Sequence, residues 1–131
     1  MSEENVELVR RWFERLNVGE PSPEYCDPEI EIRNWARSPM PGPYRGHEGL
    51  LRWWSDLSEA FEDVRLELKE VVDVDDERVV TVQRIIGSFR HTGIRLDAAW
   101  GSVIGVRERL IVSAVGYFSP QEAKRAAGLS E

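Results

Sequence analysis

The chain has 131 residues, of which 41% are hydrophobic and 31% are charged, and its formal net charge is −7. These values are typical of one globular domain and exclude a disordered chain, and the acidic balance disfavours binding to nucleic acid or to an anionic membrane. Cys26 is the one cysteine, so neither an internal disulfide nor a thiolate metal cluster can form. We therefore interpret Cys26 as a small buried side chain.

The N-terminal residues do not have the pattern of a targeting signal. They are charged and helical in character, without an apolar run before a small-residue cleavage site. No stretch approaches the ~18 apolar residues that a membrane-spanning helix requires. We therefore expect a cytoplasmic protein that binds no membrane.

The first predicted element is a helix. Ser2 is its expected N-cap, with acidic residues in the first turn, and Gly19 ends it. Its apolar residues recur at helical spacing: Val6, Leu8, Val9, Trp12, Phe13 and Leu16.

A strand, a loop and a second helix are predicted next. Residues 29–35 alternate in character, which places Ile30, Ile32 and Asn34 on one face of a half-buried strand and Trp35 on the other. Three prolines and two glycines predict a loop over residues 38–46. The second helix is predicted over residues 47–62, with an apolar stripe of Leu50, Trp54, Leu57 and Phe61.

The rest of the chain is rich in strands, predicted over residues 64–74, 78–90, 94–106 and 110–118. The connecting turns are short, so we expect an antiparallel meander. Ser119 and Pro120 begin a last helix, which Gly128 ends. The prediction is a single α+β domain over residues 1–131, with helices on one face of the sheet and water or a partner on the other.

Strand alternation identifies the polar groups on the inner face of the sheet. These are Asn34 and Gln83, with Thr81 and Ser102 as lesser candidates. An amide buried without a partner costs about 1–3 kcal/mol, so Asn34 and Gln83 should bond each other, a water or a ligand. Both interpretations stay open: a satisfied amide pair in the core, or groups that orient a ligand or water.

The titratable groups are expected away from the inner face. Asp97 lies on the outer face of its strand, where an ion pair with Arg84 or a place in a dimer interface is expected. His91 lies in a hairpin turn, and His47 begins the second helix in a capping or packing role. No residues have the spacing of converging metal ligands, so we expect no metal and no cofactor.

Four segments carry a resemblance: the opening at residues 2–7, the pair Asp27 and Pro28, the run at residues 42–49, and the tail at residues 122–129. In this order they resemble SnoaL-like proteins of the nuclear-transport-factor-2-like superfamily, over essentially the whole chain. The resemblance implies a cone-shaped, curved antiparallel sheet with N-terminal helices around a pocket. It also implies a homodimer through the outer face of the sheet, and it places these residues of the last strand inside: Leu110, Val112, Ala114, Gly116 and Phe118.

Known catalytic patterns of that superfamily are mostly absent from this sequence. Limonene epoxide hydrolases use an inner arginine and two aspartates, and those positions fall here on Gln83, Ile85 and Gly116. Their asparagine is matched by Asn34. The base of ketosteroid isomerases also falls near Asn34, which cannot abstract a proton at neutral pH.

The leading hypothesis is a small-molecule-binding domain whose pocket takes an apolar or aromatic molecule. The alternative is an enzyme, an isomerase, cyclase or hydrolase acting on a cyclic ketone, epoxide or polyketide, in which Asn34 and Gln83 orient water or polarise a carbonyl. A third interpretation is a structural dimerisation module. Catalytic residues are not assigned, and the predicted ligand-binding residues are Trp12, Asn34, Trp54, Gln83, Trp100 and Phe118.

Overall fold

The structure is a computed structural model that describes residues 2–129. Helices and strands follow one another in the predicted α+β order, which confirms the fold class. They are α1 Ser2–Asn17, a 3-10 turn at Pro23–Tyr25, β1 Cys26–Arg33, β2 Tyr44–Arg45, α2 Gly46–Ala60, β3 Phe61–Asp75, β4 Arg78–Phe89, β5 Arg95–Arg107, β6 Leu110–Tyr117 and α3 Pro120–Ala126.

The strands of this part of the chain form one sheet, in the order β2-β1-β6-β5-β4-β3. Strands β3 to β6 form the predicted antiparallel meander, whereas β1 pairs in parallel with β6, so the sheet is mixed. Shifts of register interrupt the pairing of β3 with β4 and of β5 with β6. Such bulges increase local twist, which suits a sheet that curves around a core.

Helices α1 and α2 cover the inner face of the sheet, which is the face that carries Ile30, Ile85 and Ile104. All three side chains are at most 1% exposed. The helices add Val9, Trp12, Phe13, Leu16, Leu50 and Leu57 to the same core cluster. Apolar burial on this scale supplies the main stabilisation of the domain, and it fixes which strand residues face the helices.

Helix α3 lies on the opposite face, which corrects the expectation that all helices pack on one face. Its Ala123 and Ala127 pack against Val80, which points outward from β4. Gly101 permits this approach, because a Cβ atom there would lie 2.8 Å from the Cβ of Ala123. The helix begins as predicted, with the Ser119 side chain accepting a hydrogen bond from the backbone N–H of Glu122.

The register of β4 with β5 agrees with the predicted faces. Gln83 pairs with Trp100 and Thr81 with Ser102 on the inner face. Asp97 points outward, where its Oδ1 accepts a hydrogen bond from the Arg84 Nε at 3.0 Å. The predicted cross-strand ion pair is therefore present.

The predicted inner set of β6 is wrong at its beginning. Between Gly105 and Val106 of β5 the register shifts, so that β6 carries an extra residue at Val112. Ile111 is consequently fully buried, whereas Leu110 and Val112 are partly exposed. The inner set that the resemblance implied is therefore wrong for Leu110 and Val112, and it agrees with the structure for Ala114 and Gly116 beyond the bulge.

Several bounds also differ from the expected ones. Strand β1 begins at Cys26 and ends at Arg33, so Asn34 and Trp35 follow the strand. The predicted loop contains the two-residue strand β2, which pairs with β1. The N-cap role of Ser2 rests on a side chain outside the described part of the chain. Among the helices of residues 2–129, none is long and apolar enough to cross a membrane.

Cys26 is buried as predicted, at 2% exposure. Two causes raise the pKa of its thiol to about 12: burial, which is the larger, and the nearby negative charge of Glu24. Because the thiolate is the reactive form, we expect no labelling of the folded protein by DTNB at pH 8 and rapid labelling in urea. Fast labelling without urea would contradict the placement of this side chain.

Candidate functional site

A narrow cavity of about 70 Å³ lies between α1, α2 and the inner face of the sheet. Its apolar lining includes Trp12, Phe13 and Trp53, and its polar lining includes Asn34 and Gln83. The volume accommodates about two water molecules. Pockets that enclose a drug-sized ligand are larger, at about 300–1,000 Å³. The cavity can therefore take only a compact group.

Gln83 belongs to a closed ring of hydrogen bonds on the inner face. The Thr81 hydroxyl donates to the Gln83 Oε1 at 2.8 Å, and the Thr81 and Ser102 hydroxyl oxygens are 2.5 Å apart. The ring closes where the Gln83 Nε2 donates to the Ser102 Oγ at 3.4 Å. Thr81 is buried and does not line the cavity, whereas the half-buried Gln83 and the mostly buried Ser102 both line it.

Asn34 is held by the loop that follows β1. Its backbone N–H donates to the Pro41 carbonyl at 3.0 Å, and its Nδ2 donates to the Met40 carbonyl at 2.8 Å. Its Oδ1 lies beside Gly116, where an added Cβ would be 2.4 Å away. Within residues 2–129 no hydrogen bond joins Asn34 to Gln83, because each amide has other protein partners.

The predicted tryptophans occupy different places. Trp12 is 2% exposed, lines the cavity, and donates its indole N–H to the Pro21 carbonyl at 2.9 Å. Trp54 lies outside the cavity, in a surface groove beside Ser58 and Arg90. Its neighbour Trp53 lines the cavity instead. The sequence signal was present, because Trp53 also fits helical spacing from Leu50.

Trp100 and Phe118 lie beside the cavity rather than in its wall. With Trp35 they form a cluster that we name the aromatic rim. The Trp35 ring packs edge-to-face against both other rings. Its centroid is 4.8 Å from that of the Trp100 ring and 5.6 Å from that of the Phe118 ring. Phe118 is 61% exposed. Trp35 was assigned to the outer face of a strand, and it joins the rim because β1 ends before it.

The aromatic rim adjoins the cavity through the backbone. Trp100 pairs directly with Gln83 across β4 and β5. Trp35 follows Asn34 in sequence, and Phe118 lies two residues beyond Gly116. Since directly paired residues have Cβ atoms about 5 Å apart, the rim continues the cavity toward the protein surface.

The described lining of the cavity contains one ionisable residue, Arg33. Its guanidinium is half-exposed and pairs with Glu31 at 3.3 Å. The hydrogen bonds that Arg45 and Arg33 donate lower the pKa of that carboxyl. The histidines lie elsewhere: the Nε2 of His47 contacts the Cys26 carbonyl at 2.9 Å, and His91 is exposed. Within residues 2–129, no three His, Cys, Asp or Glu side chains lie close enough together to hold a metal ion.

Larger hollows on the protein surface have a different character. One groove of about 760 Å³ lies beside the first turns of α1 and is lined by several acids, including Glu7 and Asp73. Another, of about 770 Å³, lies over β1 and β6 and mixes acids with Arg45 and Arg107. Both are open and charged, so the small aromatic cavity is the better candidate for an apolar ligand.

Three solved structures share this fold. Bal32a, from a soil-derived mobile gene cassette, is 23% identical with a TM-score of 0.82, over 93% of this chain and 94% of that one. A nuclear-transport-factor-2-like protein from Burkholderia xenovorans is 25% identical with a TM-score of 0.78, over 97% and 98% of the two chains. TerC, co-crystallised with polyporic acid, is 14% identical with a TM-score of 0.77, over 95% and 98%.

A comparison with curated proteins finds no match. The sequence does match a family model, that of the SnoaL-like domain, over residues 9–114. This match covers the helices and strands that build the cavity, from α1 to the middle of β6. The chain therefore belongs to the SnoaL-like domain family.

Proposed function

We propose that the protein binds a small, mostly apolar molecule, with a compact head in the cavity and a flat ring over the aromatic rim. The observation that carries the proposal is a cavity lined by aromatic side chains whose wall includes the neutral amide of Gln83. Apolar walls with a few convergent polar groups are the usual composition of a ligand site. The exposed Phe118 and half-buried Trp35 give a ligand apolar surface to cover.

The size of the cavity supports a ligand of two parts. A volume of about 70 Å³ has room for about three non-hydrogen atoms of a ligand head. The best small ligands gain at most about 1.5 kcal/mol per non-hydrogen atom, so a head of three atoms supplies at most about 4.5 kcal/mol, a dissociation constant no lower than about 0.5 mM. Tighter binding needs contacts outside the cavity, and the aromatic rim adjoins it.

Binding is favoured over acid–base catalysis because the polar groups of the described lining are two neutral amides, one hydroxyl and one exposed arginine. General acid–base chemistry needs a titratable group within reach of the substrate. The enzyme hypothesis would therefore require an acid from outside the described lining. Turnover of cyclic ketones, epoxides and polyketides by the natural protein, Asn34→Ala and Gln83→Ala tests it. Equal turnover at the background level in all three would exclude the enzyme hypothesis.

NMR titration with three matched probes tests the two-part site: acetone as the head alone, naphthalene as the ring alone, and 2-acetylnaphthalene as both. We expect 2-acetylnaphthalene to bind at least tenfold more tightly than either part, shifting the signals of the Gln83 amide and the Trp100 indole. Phe118→Ala should weaken this binding about fivefold and leave acetone binding unchanged. Ile94→Ala is the control, because Ile94 is 63% exposed and lies in the hairpin before β5. Equal affinity for all three probes would refute the proposal.

We further propose a homodimer through the part of the outer face that α3 leaves uncovered. This area carries the pair Arg84 and Asp97, and the family resemblance favours the same surface. Light scattering should give about twice the chain mass of 15.1 kDa at micromolar concentration. A mass equal to one chain would exclude the dimer under those conditions.

A further inference from the structure

We propose that buried Thr81, together with Ser102, orients the Gln83 amide so that an N–H faces the cavity, which makes the site select ligand heads that accept a hydrogen bond. Thr81 is a positioning residue in this account, since it does not line the cavity itself. The inference deepens the proposed function and rests on it, because it specifies the chemistry of the ligand head.

The direction of the hydrogen bonds follows from the chemistry of the three side chains. The Oε1 of Gln83 can only accept, so the Thr81 hydroxyl uses its single hydrogen on it, at 2.8 Å. The contact of 2.5 Å between the hydroxyls of Thr81 and Ser102 must then be donated by Ser102. The Ser102 oxygen is left to accept from the Gln83 Nε2, at 3.4 Å. All three bonds therefore run one way around the ring.

One hydrogen of the Gln83 amide remains for a ligand. The Nε2 carries two hydrogens, and Ser102 accepts one of them. Within residues 2–129 no protein group accepts the other, and Gln83 lines the cavity. The cavity wall thus presents an N–H donor at Gln83, whereas the carbonyl oxygen of the same amide already accepts from Thr81 with one of its two lone pairs.

Burial makes Thr81 an effective anchor. Thr81 is 0% exposed and does not line the cavity, so water does not compete for its hydroxyl, whereas Ser102 lines the cavity. In the structure the Gln83 Oε1 lies beside Thr81 and the Nε2 beside Ser102. Turning the amide over would reverse all three hydrogen bonds and exchange its donor and acceptor, so the preference depends on this orientation. A ketone or ether oxygen meets the presented N–H, whereas an alkene of the same shape leaves it unpaired. The ring should therefore create a preference for the oxygen-bearing ligand.

Two naphthalene probes of equal shape measure that preference: 2-acetylnaphthalene, which has a carbonyl, and 2-isopropenylnaphthalene, which has a C=CH₂ group in its place. We expect the natural protein to prefer the ketone about fivefold, the size of one hydrogen bond to a buried amide. Thr81→Val should reduce this preference below twofold, because Oε1 loses its donor and the amide is free to turn. Thr81→Ser keeps the hydroxyl and should keep the preference. Thr92→Val, in the exposed hairpin before β5, is the matched control.

A second measurement needs no ligand. In the free natural protein, the two Nε2 protons of Gln83 should have separate signals, the proton bonded to Ser102 should exchange slowly with water, and Thr81→Val should speed its exchange at least tenfold. If Thr81→Val does not fold, Thr81→Cys replaces the hydroxyl with a poor donor and serves in its place. If Thr81→Val still prefers 2-acetylnaphthalene over 2-isopropenylnaphthalene about fivefold, this inference is wrong and the proposed function stands. Absence of binding by either probe to the natural protein would overturn the proposed function, and the selection argued from it.

Discussion

Ile104→Ala is expected to lower the free energy of unfolding by about 3 kcal/mol. Ile104 is 1% exposed and belongs to the core cluster, so truncation removes buried apolar surface and leaves a void that the surrounding sheet cannot close. Urea unfolding monitored by tryptophan fluorescence measures the change. Ile94→Ala makes the same chemical change at 63% exposure and should cost little.

The same variant also tests the location of the site, because Ile104 lines the cavity. Its truncation enlarges the space available to a ligand head. Binding of 2-propionylnaphthalene, whose head is one methylene longer than that of 2-acetylnaphthalene, should therefore improve relative to the natural protein. A loss of stability below 1 kcal/mol, or unchanged preference between the two heads, would contradict the packing described for Ile104.

Gly116→Val is expected to weaken ligand binding by tenfold or more. Gly116 lines the cavity, and a Cβ atom there would lie 2.4 Å from the Asn34 Oδ1, so the new side chain must displace Asn34 or occupy the cavity. The Asn34 amide is anchored to the Met40 carbonyl, which makes displacement costly. NMR titration with 2-acetylnaphthalene measures binding, and urea unfolding measures the accompanying loss of stability.

A double variant separates the two effects of that substitution. Asn34→Ala combined with Gly116→Val removes the displaced amide, so stability should recover in part. Binding should remain weak, because the valine still fills the cavity. Unchanged binding by Gly116→Val alone would show that ligands do not use this space.

Sequence periodicity was sufficient for the elements that have uninterrupted patterns. The four long strands have short turns between them, and the meander, the outward Asp97 and the inner Gln83 all follow from alternation. It failed where the backbone departs from a regular strand. Alternation left the faces of β6 open, because both of its sets are apolar, and the set implied by the resemblance is reversed at its start by the bulge at Val112, which no residue type marks in the sequence.

The aromatic residues show a second limit of sequence reasoning. Trp53 and Trp54 fit the apolar stripe of α2 equally well, and their roles depend on how the helix packs against β1 and β3. Trp35 was assigned by extending the alternation of β1 two residues beyond its end. The small volume of the cavity depends on how these bulky side chains pack together, which no pattern of residue types encodes.

The hydrogen-bond partners of the inner amides were also beyond prediction. Alternation placed Asn34, Gln83, Thr81 and Ser102 on one face, and the structure agrees. It did not reveal that Gln83 bonds Thr81 and Ser102, since that depends on the direct cross-strand pairing of Thr81 with Ser102. Nor did it reveal that the loop carbonyl of Met40 accepts from Asn34.

The central claim is that a ligand binds in two places at once. Its head lies in the cavity lined by Gln83, and its ring lies on the aromatic rim. Intermolecular nuclear Overhauser effects with bound 2-acetylnaphthalene test it most directly. The account predicts contacts from the acetyl methyl group to the Gln83 side chain and to Ile104, and from the naphthalene protons to Trp100 and Phe118. Contacts confined to the surface grooves, or to residues of the outer face of the sheet, would contradict it.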